Sequence, residues 1–180
     1  MSIFHQLRRW LGAHDGMTHI VAGNPAPNFS LKSLDGQQFS LADSLKKGPV
    51  VLAFFKVSCP VCKFTFPFLE RLYQRYHTEN VTFLGVSQDN VSASRDFAND
   101  FAITFPILTD DTGYSVSNAY GLSMVPTVIL VQPSGAVRVS SMGFVKADLE
   151  AASDYLADRR NITRIPVFLS SEAVPANKPG

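Results

Sequence analysis

An apolar run followed by a helical repeat dominates the hydrophobic pattern of this chain. Residues 50–55 are all apolar, which predicts a strand buried on both faces of a sheet. Apolar side chains then recur at three- and four-residue steps, which predicts an amphipathic helix. These side chains are Phe64, Phe68, Leu69, Leu72 and Tyr76. The only two cysteines of the chain, Cys59 and Cys62, lie where the predicted strand turns into the predicted helix.

The remaining pattern predicts an α/β domain with a mixed central sheet and helices on both faces, because strands and helices alternate early and strands form a hairpin late. Further strands are predicted at 29–31, 38–41, 81–86, 105–108, 128–131 and 136–141, the first two as a hairpin around Asp35-Gly36. Further helices are predicted at 92–101, where Ser92 is the expected cap, at 114–120 and at 146–160.

The breaker cluster at 23–27 divides the chain into three predicted parts: an N-terminal amphipathic extension (1–24), the domain (25–165) and an ordered or loose C-terminal tail (166–180). Residues 3–11 of the extension carry one apolar stripe at helical spacing. We favour packing of this stripe on its own domain over contact with a membrane surface or a partner. No continuous apolar segment follows its two arginines, so no signal peptide is predicted. We expect a cytoplasmic protein, and an exported form stays the weaker alternative.

Composition narrows the functional classes. Hydrophobic residues make up 46% of the 180 residues and charged residues 17%, which is typical of a globular domain. The net charge of +1 provides no field that would attract nucleic acid. No apolar run approaches the length that spans a bilayer, so no membrane-spanning helix is predicted.

The C-x-x-C spacing of Cys59 and Cys62 favours redox chemistry. The free N–H groups and the dipole of a helix N-terminus both stabilise thiolate, the nucleophilic form, at the first cysteine. The second cysteine, one turn later, is placed to attack a mixed disulfide. A structural zinc site needs four ligands, and the chain has no second C-x-x-C and no paired histidines. We therefore favour a redox pair that needs no metal or other cofactor, while a zinc site and inert cysteines stay the weaker alternatives.

A second motif, Met124-Val125-Pro126-Thr127, precedes the strand predicted at 128–131. Alone it indicates only a proline that leads into a strand. Together with PAPNFSLKSLDGQQFSL, VVLAFFKVSCPVCKFTFP and YGLSMVPTVILVQPSGAV, it makes about residues 25–160 resemble the thioredoxin-like superfamily. The resemblance is strongest to its TlpA-type and redoxin (AhpC/TSA) branch. It implies a thioredoxin-like fold with a central mixed β-sheet, helices on both faces and an N-terminal β-hairpin extension.

The resemblance also implies roles for individual residues. Cys59 would attack and Cys62 would resolve. Pro126 would be a cis-proline that faces the two cysteines. A cis peptide bond almost always precedes a proline and is retained for the backbone geometry that it gives. Val125 would offer its backbone to an extended substrate, with Pro126 and Thr127 beside it. Pro60 and Val61, between the cysteines, would contact substrate and tune the reduction potential.

The chain departs from the family patterns at four positions. Ala53 replaces the buried acid of thioredoxins, and Thr65 replaces a glutamate of TlpA-type proteins. Lys56 and Val125 stand where peroxiredoxins place a threonine or serine and an arginine, which disfavours a peroxidase. Two interpretations of Lys56 stay open: a charge that favours thiolate at Cys59, or a solvated side chain at the strand end.

Three functions follow from the sequence. The favoured one is a thiol–disulfide oxidoreductase whose partners are disulfides or dithiols of proteins or small molecules. The first alternative is a thiol-dependent peroxidase of the peroxiredoxin type. The second is a non-catalytic binding module that keeps the fold.

Overall fold

The computed structural model describes residues 18–180, so the predicted helical stripe at residues 3–11 lies outside the described residues. Within 18–180 the elements follow in the order β1 (Ser30–Lys32), β2 (Gln38–Ser40), α1 (Leu41–Leu45), β3 (Val50–Phe55), α2 (Pro60–Tyr76), β4 (Thr82–Ser87), α3 (Val91–Asp100), β5 (Ile107–Thr109), α4 (Ser115–Ala119), β6 (Thr127–Val131), β7 (Val137–Met142), β8 (Phe144–Val145), α5 (Lys146–Arg160) and β9 (Asn177–Lys178).

Five of these strands form the central sheet in the order β5-β4-β3-β6-β7. β3 and β4 are parallel, as are β4 and β5, whereas β6 runs antiparallel to both β3 and β7. The predicted mixed sheet is therefore confirmed. β1 and β2 form the predicted antiparallel hairpin beside it. β3 is the central strand of this sheet. The C-x-x-C that follows its carboxyl end therefore lies at the middle of the sheet, at the end where β3 stops.

The side chains of β3 alternate between two apolar cores, one on each face of the sheet. Val51, Ala53 and Phe55 face the core that contains α2 and α5. Val50, Leu52 and Phe54 face the core that contains α1 and α4. Because both faces are covered, every residue of β3 is buried, as the continuous apolar run predicts. Helices on both faces are thus confirmed.

The start of α3 and the bounds of the third parallel strand differ from the predictions. α3 begins at Val91 because Asn90 is its cap, with the Asn90 Oδ1 atom accepting the Ala93 N–H at 3.0 Å. Ser92 lies in the first turn, so its assignment as the cap is wrong: the side chain of Asn90, two residues earlier, supplies the acceptor oxygen. The third parallel strand covers Ile107–Thr109 rather than 105–108.

The buried face of α2 is rotated from the predicted one. Phe66, which the predicted stripe omits, is fully buried, whereas Phe64 and Phe68 are half-buried. These two rings pack edge-on against other aromatic rings, with centroid distances of 4.9 Å between Phe64 and Phe144 and 4.8 Å between Phe68 and Phe168. The predicted spacing therefore combines two surfaces, one against the sheet and one against the C-terminal segment.

The segment predicted as a tail, residues 166–180, packs on the domain. Val167 and Phe168 are buried in the core of the α2 face. Arg71 binds Glu172 through two hydrogen bonds of 2.9 and 2.6 Å. β9 then pairs with β8 in an antiparallel two-stranded sheet. Three prolines and the lack of periodicity hide this packing in the sequence, because it depends on contacts with distant residues.

The residues just before the predicted domain boundary also contact the sheet. Ile20 is buried, and the Gly23 N–H donates to the Val137 carbonyl at 2.9 Å. None of the helices described in residues 18–180 has the length and apolar character needed to cross a membrane.

Candidate active site

Cys59 is the cap of α2, directly after the turn that follows β3. Its N–H donates to the Lys56 carbonyl at 3.1 Å, which closes that turn. Its Sγ accepts the Cys62 N–H at 3.2 Å. Pro60 occupies the first helical position, where a missing N–H costs nothing because that group has no partner within a helix. The strand, the turn and the helix start thus aim a free N–H group at the sulfur, as predicted.

The two cysteines differ in their surroundings. The Cys59 side chain is half-buried, whereas Cys62 is 0% exposed. Burial raises the pKa of the Cys62 thiol well above its ordinary range, and the neighbouring Cys59 and the charge of Asp89 add to this shift. Both residues are free thiols in this structure. The pair therefore has one accessible sulfur and one that keeps its proton at neutral pH.

The loop before β6 faces Cys59. The Val125–Pro126 peptide bond is cis, the isomer that the resemblance implies. The Cys59 thiol donates to the Val125 carbonyl at 3.4 Å. The loop is closed by the Thr127 Oγ1, which donates to the Met124 carbonyl at 2.8 Å. The structure thus brings Cys59, Cys62 and Val125 together, with Pro126 buried beside them.

The other predicted site residues take up different positions. Pro60 is exposed at the start of α2, and Val61 is half-buried against the core. The Thr127 side chain is buried and turned into its own loop, so it shapes the loop through Met124. Thr65, in the position of the TlpA-type glutamate, is buried and donates to the Val61 carbonyl at 2.7 Å.

Lys56 is half-buried, and its Nζ lies 5.4 Å from the centroid of the Tyr114 ring. Such a cation–π contact holds the ammonium group on the aromatic face. Among the described residues, no hydrogen bond joins this Nζ to either sulfur. Neither interpretation of Lys56 from the sequence, a charge that favours thiolate or a solvated side chain, includes this contact with Tyr114.

Asp89 is a residue near the site that the sequence interpretation missed. Its Oδ2 accepts the Val57 N–H at 2.8 Å, which ties the end of β4 to the turn before Cys59. Its own N–H donates to the Ser87 Oγ at 3.1 Å, and Ser94 donates to the same Oγ at 2.7 Å. Polar residues at the carboxyl ends of neighbouring parallel strands meet at one edge of a sheet. The sequence did carry a signal for this contact: Cys59 follows one predicted strand, and Asp89 follows the next.

In the part of the chain that the structure describes, no group of three or more His, Cys, Asp and Glu side chains is arranged to hold a metal ion. Cys59 and Cys62 by themselves supply two sulfur ligands, whereas a structural zinc site takes four ligands.

Comparisons with known proteins agree with this geometry. The model of the AhpC/TSA family matches residues 22–140. Over 122 residues the chain is 34% identical to the thiol-disulfide oxidoreductase ResA of Geobacillus thermodenitrificans, covering 67% of this chain and 69% of that protein. It is 32% identical over 123 residues to ResA of Bacillus subtilis, covering 68% of each.

The fold also matches solved structures. One is the thioredoxin domain of a thiol-disulfide oxidoreductase from Bacteroides vulgatus, with a TM-score of 0.68 and 23% identity, covering 76% of this chain and 99% of that domain. The predicted thioredoxin-like fold is therefore confirmed.

Proposed function

The chain belongs to the AhpC/TSA family, and we propose that it is a thiol–disulfide oxidoreductase in which Cys59 attacks and Cys62 resolves. One observation carries this assignment: a half-buried cysteine caps a helix, and a fully buried cysteine lies one turn behind it. Accessible sulfur with N–H support acts as a nucleophile, whereas a buried protonated sulfur does not. The two thiols therefore take different steps of one exchange reaction.

In the first step the Cys59 thiolate attacks one sulfur of a substrate disulfide. The substrate S–S bond breaks as the new bond to Cys59 Sγ forms, and the second substrate sulfur leaves as thiolate. The Cys62 N–H at 3.2 Å stabilises the attacking thiolate before this step. The product is a mixed disulfide at the mouth of the site.

In the second step the Cys62 thiol gives its proton to the substrate thiolate released in the first step and attacks Cys59 Sγ. This forms the Cys59–Cys62 disulfide, breaks the mixed disulfide and releases the other substrate sulfur as thiolate. Two electrons pass from the cysteine pair to the substrate; one proton comes from Cys62, and the second comes from water, which received the proton of Cys59 when that thiol ionised. Because burial raises the pKa of Cys62, its deprotonation is the demanding part of this step. The reverse sequence oxidises a dithiol.

The loop at Val125 and Pro126 provides the place for the substrate. The Val125 carbonyl lies 3.4 Å from Cys59 Sγ, so a chain segment that pairs with this backbone brings its own sulfur to the nucleophile. Pro60 and Val61, which lie between the two cysteines, would contact substrate and tune the reduction potential. The substrates that we propose are disulfides or dithiols of proteins or small molecules, encountered in the cytoplasm.

The peroxidase alternative is less favoured by the same geometry. Breaking an O–O bond requires donors aimed at the oxygen that leaves with negative charge. In residues 18–180, the hydrogen-bond partners of Cys59 Sγ are the Cys62 N–H and the Val125 carbonyl, and the carbonyl is an acceptor. The Lys56 ammonium group lies on the Tyr114 ring instead.

Trapping tests the proposed roles. In a Cys62→Ala variant, Cys59 should accumulate mixed disulfides with reduced-and-reoxidised insulin chains or with a disulfide-bonded peptide, since no second thiol resolves them. The matched Cys59→Ala variant should trap none. Peroxide-dependent thiol consumption, measured in parallel, should stay at the rate of a simple thiolate. Equal trapping by both variants, or none by either, contradicts the assignment.

A further inference from the structure

The last residues of the chain lie beside the redox site. We call residues 177–180 the strap. Its first half is β9, in which Lys178 pairs with Phe144 and Asn177 with Val145 of β8. The Lys146 N–H donates to the Ala176 carbonyl at 2.9 Å and extends this pairing by one residue. The strap is thus an extended strand added to the edge of the short β8 segment.

The strap ends against the substrate loop. A Cβ atom on Gly180 would lie 2.3 Å from the Val125 carbonyl oxygen, so the backbone of Gly180 packs directly on that carbonyl. The same oxygen lies 3.4 Å from Cys59 Sγ. A Cβ atom on Gly143 would lie 2.6 Å from the Lys178 carbonyl oxygen, so the strap also runs tightly along the turn that follows β7.

An aromatic surface supports the middle of the strap. The Lys178 Nζ lies 4.8 Å from the centroid of the Phe64 ring, which comes two residues after Cys62. Phe64 in turn packs edge-on against Phe144, the β8 residue that pairs with Lys178. The strap therefore runs from this aromatic pair to the carbonyl that faces the nucleophile.

The strap is held less firmly than the segment before it. Val167 and Phe168 are buried, and Glu172 makes two hydrogen bonds to Arg71. Lys178 is half-buried, whereas Asn177, Pro179 and Gly180 are exposed. A strand held by a few ladder hydrogen bonds and one cation–π contact is easily exchanged for another strand.

We infer that the strap occupies the groove that an extended polypeptide would take beside Cys59, so that a polypeptide disulfide must displace the strap before it reacts. This rests on the proposed function, which places the substrate at Val125. A polypeptide that adds to the edge of β8 and reaches the Val125 carbonyl would make the same kind of contacts. Small disulfides need no strand position, because the Cys59 side chain is partly accessible with the strap in place.

The size of the effect follows from competition between the two strands. If the groove is open only a fraction of the time, the apparent rate with a polypeptide falls by that fraction. A few weak contacts correspond to an open fraction of about one tenth rather than one thousandth. Removing the strap should therefore speed reactions with polypeptides about tenfold.

Alkylation of Cys59 tests the inference without requiring turnover. A chain that ends at Ala176, made in the Cys62→Ala background, is treated with iodoacetamide and with a short extended peptide that carries a maleimide at its centre. Removal of the strap should raise the peptide rate about tenfold and change the iodoacetamide rate less than about twofold. Gly180→Val, made in the same background without truncation, should give the same result, because its side chain cannot fit against Val125.

Ala173→Val is the matched control, because residue 173 is exposed and precedes the strap. It should leave both rates unchanged. Equal peptide rates with and without the strap would overturn the inference, as would a tenfold rise with both reagents, which would indicate general shielding of Cys59. If the strap affects alkylation as expected but the same strap variants, made with both cysteines intact, do not exchange insulin disulfides, the proposed function fails and only the competition between the strap and an extended peptide stands.

Discussion

The first turn of α2 and the inner half of the same helix lie in opposite surroundings. At the first turn, Cys59 is half-buried and its sulfur accepts a backbone N–H at 3.2 Å. Farther along, Phe66 is fully buried, with its ring 4.5 Å from that of Phe55 and 5.1 Å from that of Phe97. The chemistry depends on polar groups that the helix start leaves unpaired, and the stability depends on close-packed rings.

Cys62 lies at the border between these two regions. It is one turn from Cys59, yet it is buried with the core residues of the α2 face. Its high pKa is a consequence of that burial. Substitutions in the two regions should therefore separate activity from stability, and Cys62 should be the residue at which both respond.

The largest expected effect is on activity at the first turn. Cys59→Ser should lower insulin reduction with dithiothreitol by at least about 1000-fold, because it removes the nucleophile. The free energy of unfolding should change by less than about 1 kcal/mol, since the substitution is nearly isosteric at a half-buried position. Ser58→Ala, at an exposed neighbour, is the control and should keep activity. Residual activity in Cys59→Ser would show that another residue is the nucleophile.

The second effect is on stability at the inner half. Phe66→Ala should lower the free energy of unfolding by about 3–5 kcal/mol, measured by urea denaturation, because it leaves a cavity among aromatic rings. Phe64→Ala should cost less, since that ring is half-buried. While the protein stays folded, Cys59 should alkylate at the wild-type rate. If Phe66→Ala slowed alkylation as strongly as it reduced stability, the two regions would not be separable.

The third effect concerns the border residue and depends on pH. Burial is the largest cause of the raised pKa of Cys62, and the charge of Asp89 adds a smaller increase. Cys62 therefore becomes a nucleophile only as the pH rises towards this raised pKa. Asp89→Asn removes the charge and should shift the onset of Cys62 alkylation to lower pH. The measurement is mass spectrometry across a pH series in the Cys59→Ala background. An unchanged onset, or one at higher pH, would show that Asp89 acts only through the turn at Val57.

The smallest effect is expected at Lys56. Because its ammonium group lies on the Tyr114 ring, Lys56→Met should change Cys59 alkylation by less than about twofold and stability by about 0.5–1 kcal/mol. Lys47→Met, at an exposed lysine, is the control for loss of charge. A large fall in alkylation with Lys56→Met alone would restore the interpretation in which this lysine favours the thiolate.

Elements with a strong local pattern could be predicted from the sequence. β3 matches the apolar run at 50–55, and α5 matches the predicted helix at 146–160, because burial on both faces and helical spacing appear directly in the residue order. The position of Cys59 at a helix start follows from the same two patterns. The cap of α3 was wrong because Asn90 and Ser92 are both suitable caps, and only the backbone decides between them.

Features that join distant parts of the chain could not be predicted in this way. Arg71 meets Glu172, and Lys178 meets Phe64, across more than half of the chain. Neither pair has a periodic signal, and the segment 166–180 therefore looked like a tail. Asp89 was missed for a related reason: its closeness to Val57 depends on the pairing of β3 with β4, which the sequence predicts only as two separate strands.

The most direct test of the central claim is the alkylation rate of each cysteine in the reduced wild-type protein at neutral pH. Quenched time points with iodoacetamide, read by peptide mass spectrometry, give both rates in one sample. The account predicts that Cys59 reacts at least about 100-fold faster than Cys62, because Cys62 is both buried and protonated. Equal rates, or a faster Cys62, would contradict the assignment of Cys59 as the attacking residue.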